Sequence, residues 1–199
     1  LDWNDDGLTD LLLGLSDGTV KIATNTGHAD GVRFATPVSV YSGSTPIDVG
    51  DRAVVEVGDL DGDGLFDLVV GAFDARVRLY INNGSVGSPS FGAVRTVKLL
   101  GGSEVIVPAG RSAPALGDLN GDGRPDLVCG NTDGEVWAYL TVGDTQFLPA
   151  IQVSADGAPG SDPEATEGFM DVYHYGGGAA RVIAALIDHA APPITQICW

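Results

Sequence analysis

The chain has 199 residues, 44% of them hydrophobic, with 27 acidic against 10 basic side chains and a formal net charge of −17. So negative a surface excludes nucleic acid as a partner, because phosphate binding needs a basic footprint, and it disfavours an anionic membrane for the same reason. Membrane insertion is excluded as well, since the longest apolar run, residues 182–187, is far too short to span a bilayer.

The chain opens on an acidic loop, Asp2-Trp3-Asn4-Asp5-Asp6-Gly7-Leu8-Thr9-Asp10. Oxygen-bearing side chains stand at loop positions one, three, five and nine (Asp2, Asn4, Asp6 and Asp10), with glycine at six. Alternate residues of a tight loop turn their oxygens inward, the glycine permits the bend, and the carbonyl of position seven, Leu8, can add a ligand. That is an oxygen cage for a hard cation. An apolar run at 11–14 follows, bounded by turn residues, and reads as a strand buried on both faces. A turn at 16–18, an alternating strand through Val20 and Ile22, a third strand over 34–40 and a fourth over 53–57 complete the unit.

The same order then returns twice. The second loop carries Asp59, Asp61, Asp63 and Asp67 with Leu65 at position seven, and the third carries Asp118, Asn120, Asp122 and Asp126 with Arg124 there. The loops start 57 and 59 residues apart, and 11 of the 27 acidic residues lie inside them. Apolar runs at 68–71 and 127–130 match 11–14; turns at 73–75 and 132–134 match 16–18. Strands through Val77/Leu79 and Val136/Ala138, third strands over 91–97 and 147–153, and a fourth over 113–116 repeat the plan. Arg52 and Arg111 each stand seven residues before a loop. Four strands per unit of slightly under 60 residues predicts blades of β-propeller type.

Calcium fits the loops better than magnesium, which keeps more of its waters and takes fewer protein ligands. About three Ca²⁺ are expected, the second loop binding tightest because it has four carboxylates where the others have three and an Asn. EF-hands are excluded, because position twelve is Leu13, Val70 and Cys129 instead of Glu.

The pattern Gly58-Asp59-Leu60-Asp61-Gly62-Asp63-Gly64…Asp67-Leu68-Val69-Val70-Gly71 resembles the FG-GAP/VCBS repeat family, which includes the propeller of integrin alpha chains and many secreted bacterial proteins. The likeness covers residues 1 to about 157 in three copies, about 1–52, 53–111 and 112–157. It implies an all-β, calcium-binding array of four-stranded antiparallel blades in an extracellular protein of adhesion, recognition or assembly. It implies no single activity, because the same blades serve many proteins.

The repeat decays over 158–199. Residues 155–168 read as a long Pro- and Gly-rich loop, and the nearest counterpart of a fourth cation loop starts at Asp171 with Tyr173 and Tyr175 at positions three and five. That segment is a metal-free half-blade or an unrelated terminal piece; 179–188 reads as strand or short helix, and 194–199 suits an added strand. Cys129 and Cys198 permit one disulfide, against the simpler reading of Cys129 as a buried small apolar residue in the place of Leu13 and Val70.

Catalytic signals fail. Gly14-Leu15-Ser16-Asp17-Gly18 has the form of a hydrolase elbow, but the other units carry Phe73 and Thr132 at the place of Ser16, so it is a turn residue. His28, His174 and His189 have no metal spacing. Asn83-Gly84-Ser85 is a sequon, meaningful only in a eukaryotic secretory route. Two non-enzymatic expectations remain. One is a structural subunit that self-associates head to tail into a filament, fibre or surface layer. The other is an adhesion or carbohydrate-binding module, or a fragment of a larger secreted propeller protein, recognising a glycan or surface protein through Trp3, Trp137, Tyr139, Tyr173 or Tyr175.

Overall fold

A computed structural model describes residues 1–27, 31–143, 145–153, 169–173 and 183–187, with backbone alone for the last two stretches. Among the described residues every regular element is a strand. The first blade has three: β1 (Leu11–Gly14), β2 (Val20–Ala23) and β3 (Val38–Ser39), antiparallel in that order. A small hairpin, β4 (Tyr41–Ser42) with β5 (Thr45–Pro46), leads onward. The second blade is the complete four-stranded meander β6 (Val54–Gly58), β7 (Asp67–Gly71), β8 (Val77–Tyr80) and β9 (Arg95–Thr96). After β10 (Lys98–Leu99) the third repeats it with β11 (Ala113–Gly117), β12 (Asp126–Gly130), β13 (Val136–Tyr139) and, past the short β14 (Thr141–Gly143) and β15 (Gln146–Phe147), β16 (Ile151–Val153). β17 (Phe169–Tyr173) pairs antiparallel with β18 (Ile183–Ile187) and runs beside β11 and β12.

The period-two alternation of β7 explains its burial. Val69 enters a core shared with the third blade, among Leu116, Leu127, Cys129 and Phe147. Leu68 and Val70 point the other way, into a core shared with the first blade that holds Val20, Ile22, Ile47 and Phe91. Each face of a middle blade is thus a neighbour's core wall. β12 is buried throughout in the same way. β1 departs from the expectation of two buried faces: Leu12 packs on the inter-blade core while Leu11 is 43% exposed, because among the described residues only one side of that blade is covered.

Successive blades are joined by a repeated seam. The Ala53 N–H donates to the Leu15 carbonyl at 2.9 Å, and one unit later the Ser112 N–H donates to the Ala72 carbonyl at 2.8 Å. Arg52 and Arg111 have left-handed backbones (φ 50° and 42°) and donate their N–H groups to Ser16 and Phe73 carbonyls at 3.1 and 3.3 Å. The periodic arginines mark this corner, where the chain turns from linker into inner strand, and Ser16 is its turn partner. Gly14 and Gly71 end β1 and β7 because the next strand crosses there; a Cβ on Gly71 would strike the Ser112 carbonyl and the Pro114 ring.

The third strands are shorter than expected. The expected 34–40 resolves into an Asn25–Phe34 bridge and the Val38–Ser39 ladder, and 91–97 into an Asn82–Phe91 bridge and Arg95–Thr96. Pro37 in the first unit and Pro149 in the third lack the N–H a continuous ladder needs. Asp171–Tyr173 belongs to β17, so the nearest counterpart of a fourth cation loop begins inside a strand. Within 179–188, β18 is strand. The expectations for 194–199, Cys198, Tyr175 and the three histidines lie outside the described residues.

Cys129 is fully buried in the core between the second and third blades, and burial pushes its thiol pKa upward. We expect its alkylation, read by mass spectrometry, to occur only after unfolding. Modification of Cys129 at native stability would contradict this packing.

Candidate metal centres

The second and third cation loops each bridge two adjacent strands, β6 to β7 and β11 to β12, so a paired ladder holds both ends. The first leads into β1, and the Asp10 N–H donates to the Leu1 carbonyl at 2.6 Å across its base. Position one organises the bend. Asp59 Oδ1 accepts from the Gly62 and Asp63 N–H groups at 2.7 and 3.1 Å, and its Oδ2 from Gly64 at 2.9 Å. Asp118 repeats this with Gly121, Asp122 and Gly123, and Asp2 holds Asp6 and Gly7. These donors hold the Asp118 carboxyl below its ordinary range, the Gly123 bond being the largest cause.

Position five accepts the N–H of position seven in every loop: Leu8 to Asp6 at 2.9 Å, Leu65 to Asp63 at 2.8 Å, Arg124 to Asp122 at 2.9 Å. Position four needs a left-handed backbone, supplied by Gly62 (φ 81°), Gly121 (φ 78°) and, in the first loop, Asp5 (φ 59°). Asn4 and Asn120 donate their side-chain amides to Asp6 and Asp122 at 2.9 and 3.1 Å.

Position nine is the buried anchor. Asp10, Asp67 and Asp126 are all buried, and each accepts the N–H of position two on Oδ2: Trp3 at 2.8 Å, Leu60 at 2.9 Å and Leu119 at 2.9 Å. Their Oδ1 atoms accept the N–H of a residue fifteen positions on: Asn25 at 2.6 Å, Asn82 at 2.7 Å and Thr141 at 2.7 Å. Those three residues also donate side-chain hydrogen bonds to position eight, Asn25 to the Thr9 carbonyl, Asn82 to Phe66 and Thr141 to Pro125. Sequence reading missed this clamp. Its constant offset behind the ninth position, with a small polar residue each time, was the available signal.

In the second loop, carboxylate oxygens of Asp59, Asp61 and Asp67 lie within 4.8 Å of one another. An all-oxygen donor set at that spacing fits a hard cation of calcium size. Burial first, with repulsion from Asp61 and Asp63 adding to it, pushes the Asp67 carboxyl above its ordinary value despite its two backbone donors. A divalent ion there would relieve the repulsion. Asp63 stands at the loop surface beside the trio, with its N–H on Asp59 and Asp61.

The aromatic side chains divide. Tyr139 is buried in the core, so it offers no open stacking face, and Trp137 is half-buried against that core with its ring N–H on Glu135. Trp3 packs on Phe91 with ring centroids 5.9 Å apart. Among the described residues no helix is long and apolar enough to cross a membrane, which leaves membrane β-barrels unaddressed.

Compared with known proteins, the chain matches the FG-GAP-like repeat over residues 2–70, 59–129 and 118–173. Integrin alpha-4 of Xenopus laevis is 36% identical over 101 residues, covering 44% of this chain and 9% of that protein. The chain therefore spans only a small part of the length of that relative.

Proposed function

The chain belongs to the FG-GAP-like repeat family, and from that membership we propose a non-enzymatic, calcium-binding adhesion-type repeat protein of the cell exterior. The observation that carries this reading is the threefold recurrence of one oxygen-lined loop, with its first and ninth aspartates fixed by backbone donors in every copy. The ligands would be Asp2, Asn4, Asp6, Asp10 and the Leu8 carbonyl; Asp59, Asp61, Asp63, Asp67 and the Leu65 carbonyl; Asp118, Asn120, Asp122, Asp126 and the Arg124 carbonyl. Calcium supplies charge neutralisation at each inner turn, and the millimolar calcium outside cells suits loops of this kind. The partner would be a surface protein or glycan met at the blade rims.

Self-association head to tail is a second reading, supported by β1, which among the described residues stands at the edge of its sheet with Leu11 exposed, because an open sheet edge is a template for another strand. Calorimetric titration of chelator-stripped protein tests the first reading: about three calcium ions should bind, the second loop tightest, and failure to bind at millimolar calcium would sink it. Light scattering of the same samples reads the second, a monomer with and without calcium ruling it out.

A further inference from the structure

We propose that Asn82 is a positioning residue that couples the second cation loop to the first, so that these two fill cooperatively while the third fills independently. The inference rests on the calcium reading above and concerns how the sites communicate.

Asn82 is 4% exposed and uses its polar groups in two directions. Toward its own loop, its N–H donates to Asp67 Oδ1 at 2.7 Å and its side-chain amide to the Phe66 carbonyl at 3.2 Å. Away from it, Oδ1 accepts the Gly84 and Ser90 N–H groups at 3.0 and 2.9 Å, drawing together the two ends of an arm over 84–90. Ser85 and Ser88 close the tip of that arm with reciprocal backbone bonds of 3.2 and 3.0 Å. The tip is seated on the first cation loop: a Cβ on Gly87 would lie 2.9 Å from Asp5 Cβ and 3.0 Å from the Asn4 carbonyl oxygen. Just past the arm, Phe91 packs on Trp3, position two of the first loop, whose N–H is bonded to Asp10.

Both loops line one cleft, Asp2 and Trp3 from the first and Gly64, Leu65 and Phe66 from the second, and Asn82 and the arm's Val86 line it too. Ordering of the second loop fixes Asp67 and Phe66, and through Asn82 it fixes the arm against which the first loop folds. Whichever loop orders first therefore lowers the ordering cost of the other. Among the described residues of the third unit the corresponding bonds run to its own loop. Thr141 keeps the two bonds to its own loop but has no side-chain carbonyl, and Gly143 behind it faces Arg124 of that same loop.

Terbium, an oxygen-seeking substitute for calcium, tests this in the full chain, because Trp3 lies within the first loop and can sensitise its luminescence. The part of the signal lost in Trp3→Phe reports that loop. Disabling the second loop with Asp61→Asn and Asp63→Asn, both exposed, should raise the first loop's half-saturation concentration about fivefold or more. Disabling the third with Asp122→Asn should leave it unchanged. Gly87→Ala, which leaves the second loop's own ligands in place, should weaken the first loop and, because coupling is reciprocal, weaken the second by the lost cooperativity while calorimetry still finds its full stoichiometry. Asn82→Ala should weaken both. A first loop indifferent to the second, or equally sensitive to the third, overturns the coupling. Absence of terbium and calcium uptake in every loop would instead remove the calcium reading itself.

Discussion

Removing calcium is expected to lower the thermal midpoint by roughly 15–30 °C, the largest single effect foreseen for this protein. A site held at a hundredfold excess over its Kd adds about 2.7 kcal/mol to the folded state, and each kcal/mol moves the midpoint of a domain this size by about 2–4 °C. Three such sites give the stated fall. The residues concerned are separable from ordinary packing. Asp63 is exposed and makes only local loop bonds, so Asp63→Ala should lower the midpoint in millimolar calcium and change little in excess chelator. Scanning calorimetry of both proteins in both buffers checks this. Equal losses with and without calcium would mean that Asp63 serves the loop's fold and no ion.

The second large effect is expected at the seam. Gly71→Ala should cost about 3 kcal/mol, toward the upper end for overpacking a core, because its methyl group meets the backbone of Ser112 and the ring of Pro114, neither of which has a flexible end to yield. Gly62→Ala is the control. Its φ is 81° with open space around it, so only backbone strain of about 1 kcal/mol applies, and Asp5 shows that a side chain is tolerated at that loop position. Urea midpoints should separate the two variants, and the Gly71→Ala loss should persist in chelator. Parity between them would show that the blades meet less closely than the seam requires.

The loops and the strands after them were legible because both obey strong local rules: oxygens on alternate residues around a glycine, and apolar runs between turns. What the sequence hid was non-local. Whether an apolar run is covered on one face or two depends on a neighbouring blade, so 11–14 and 68–71 read alike while Leu11 is exposed and Leu68 buried. Asn25, Asn82 and Thr141 were overlooked because each looks like an ordinary polar residue at a strand end; their role appears only when the buried aspartate fifteen residues earlier is seen to accept from them. The linkers before the second and third blades suggested no element. They supply Ile47 and Val49, then Val105 and Val107, to the inter-blade cores by pairing back onto the first turn of the preceding blade. Tyr139, one of the aromatics expected as a ring face for a sugar, is buried for a related reason: it lies on an alternating strand whose inward face is covered by the inter-blade core.

The seam also bears on how such a chain can grow by copying itself. The stretch that recurs in sequence runs from one acidic loop to the next, and so carries the last three strands of one blade together with the inner strand of the blade that follows. A duplicated stretch arrives out of phase with the sheets. Its leading strands must complete the blade before it, and its final strand must found the blade after it, so no inserted copy can fold as a bystander. Gene duplication at this period lengthens the array while every newcomer is interlocked at birth, and the glycine at the seam is the residue each copy would have to keep.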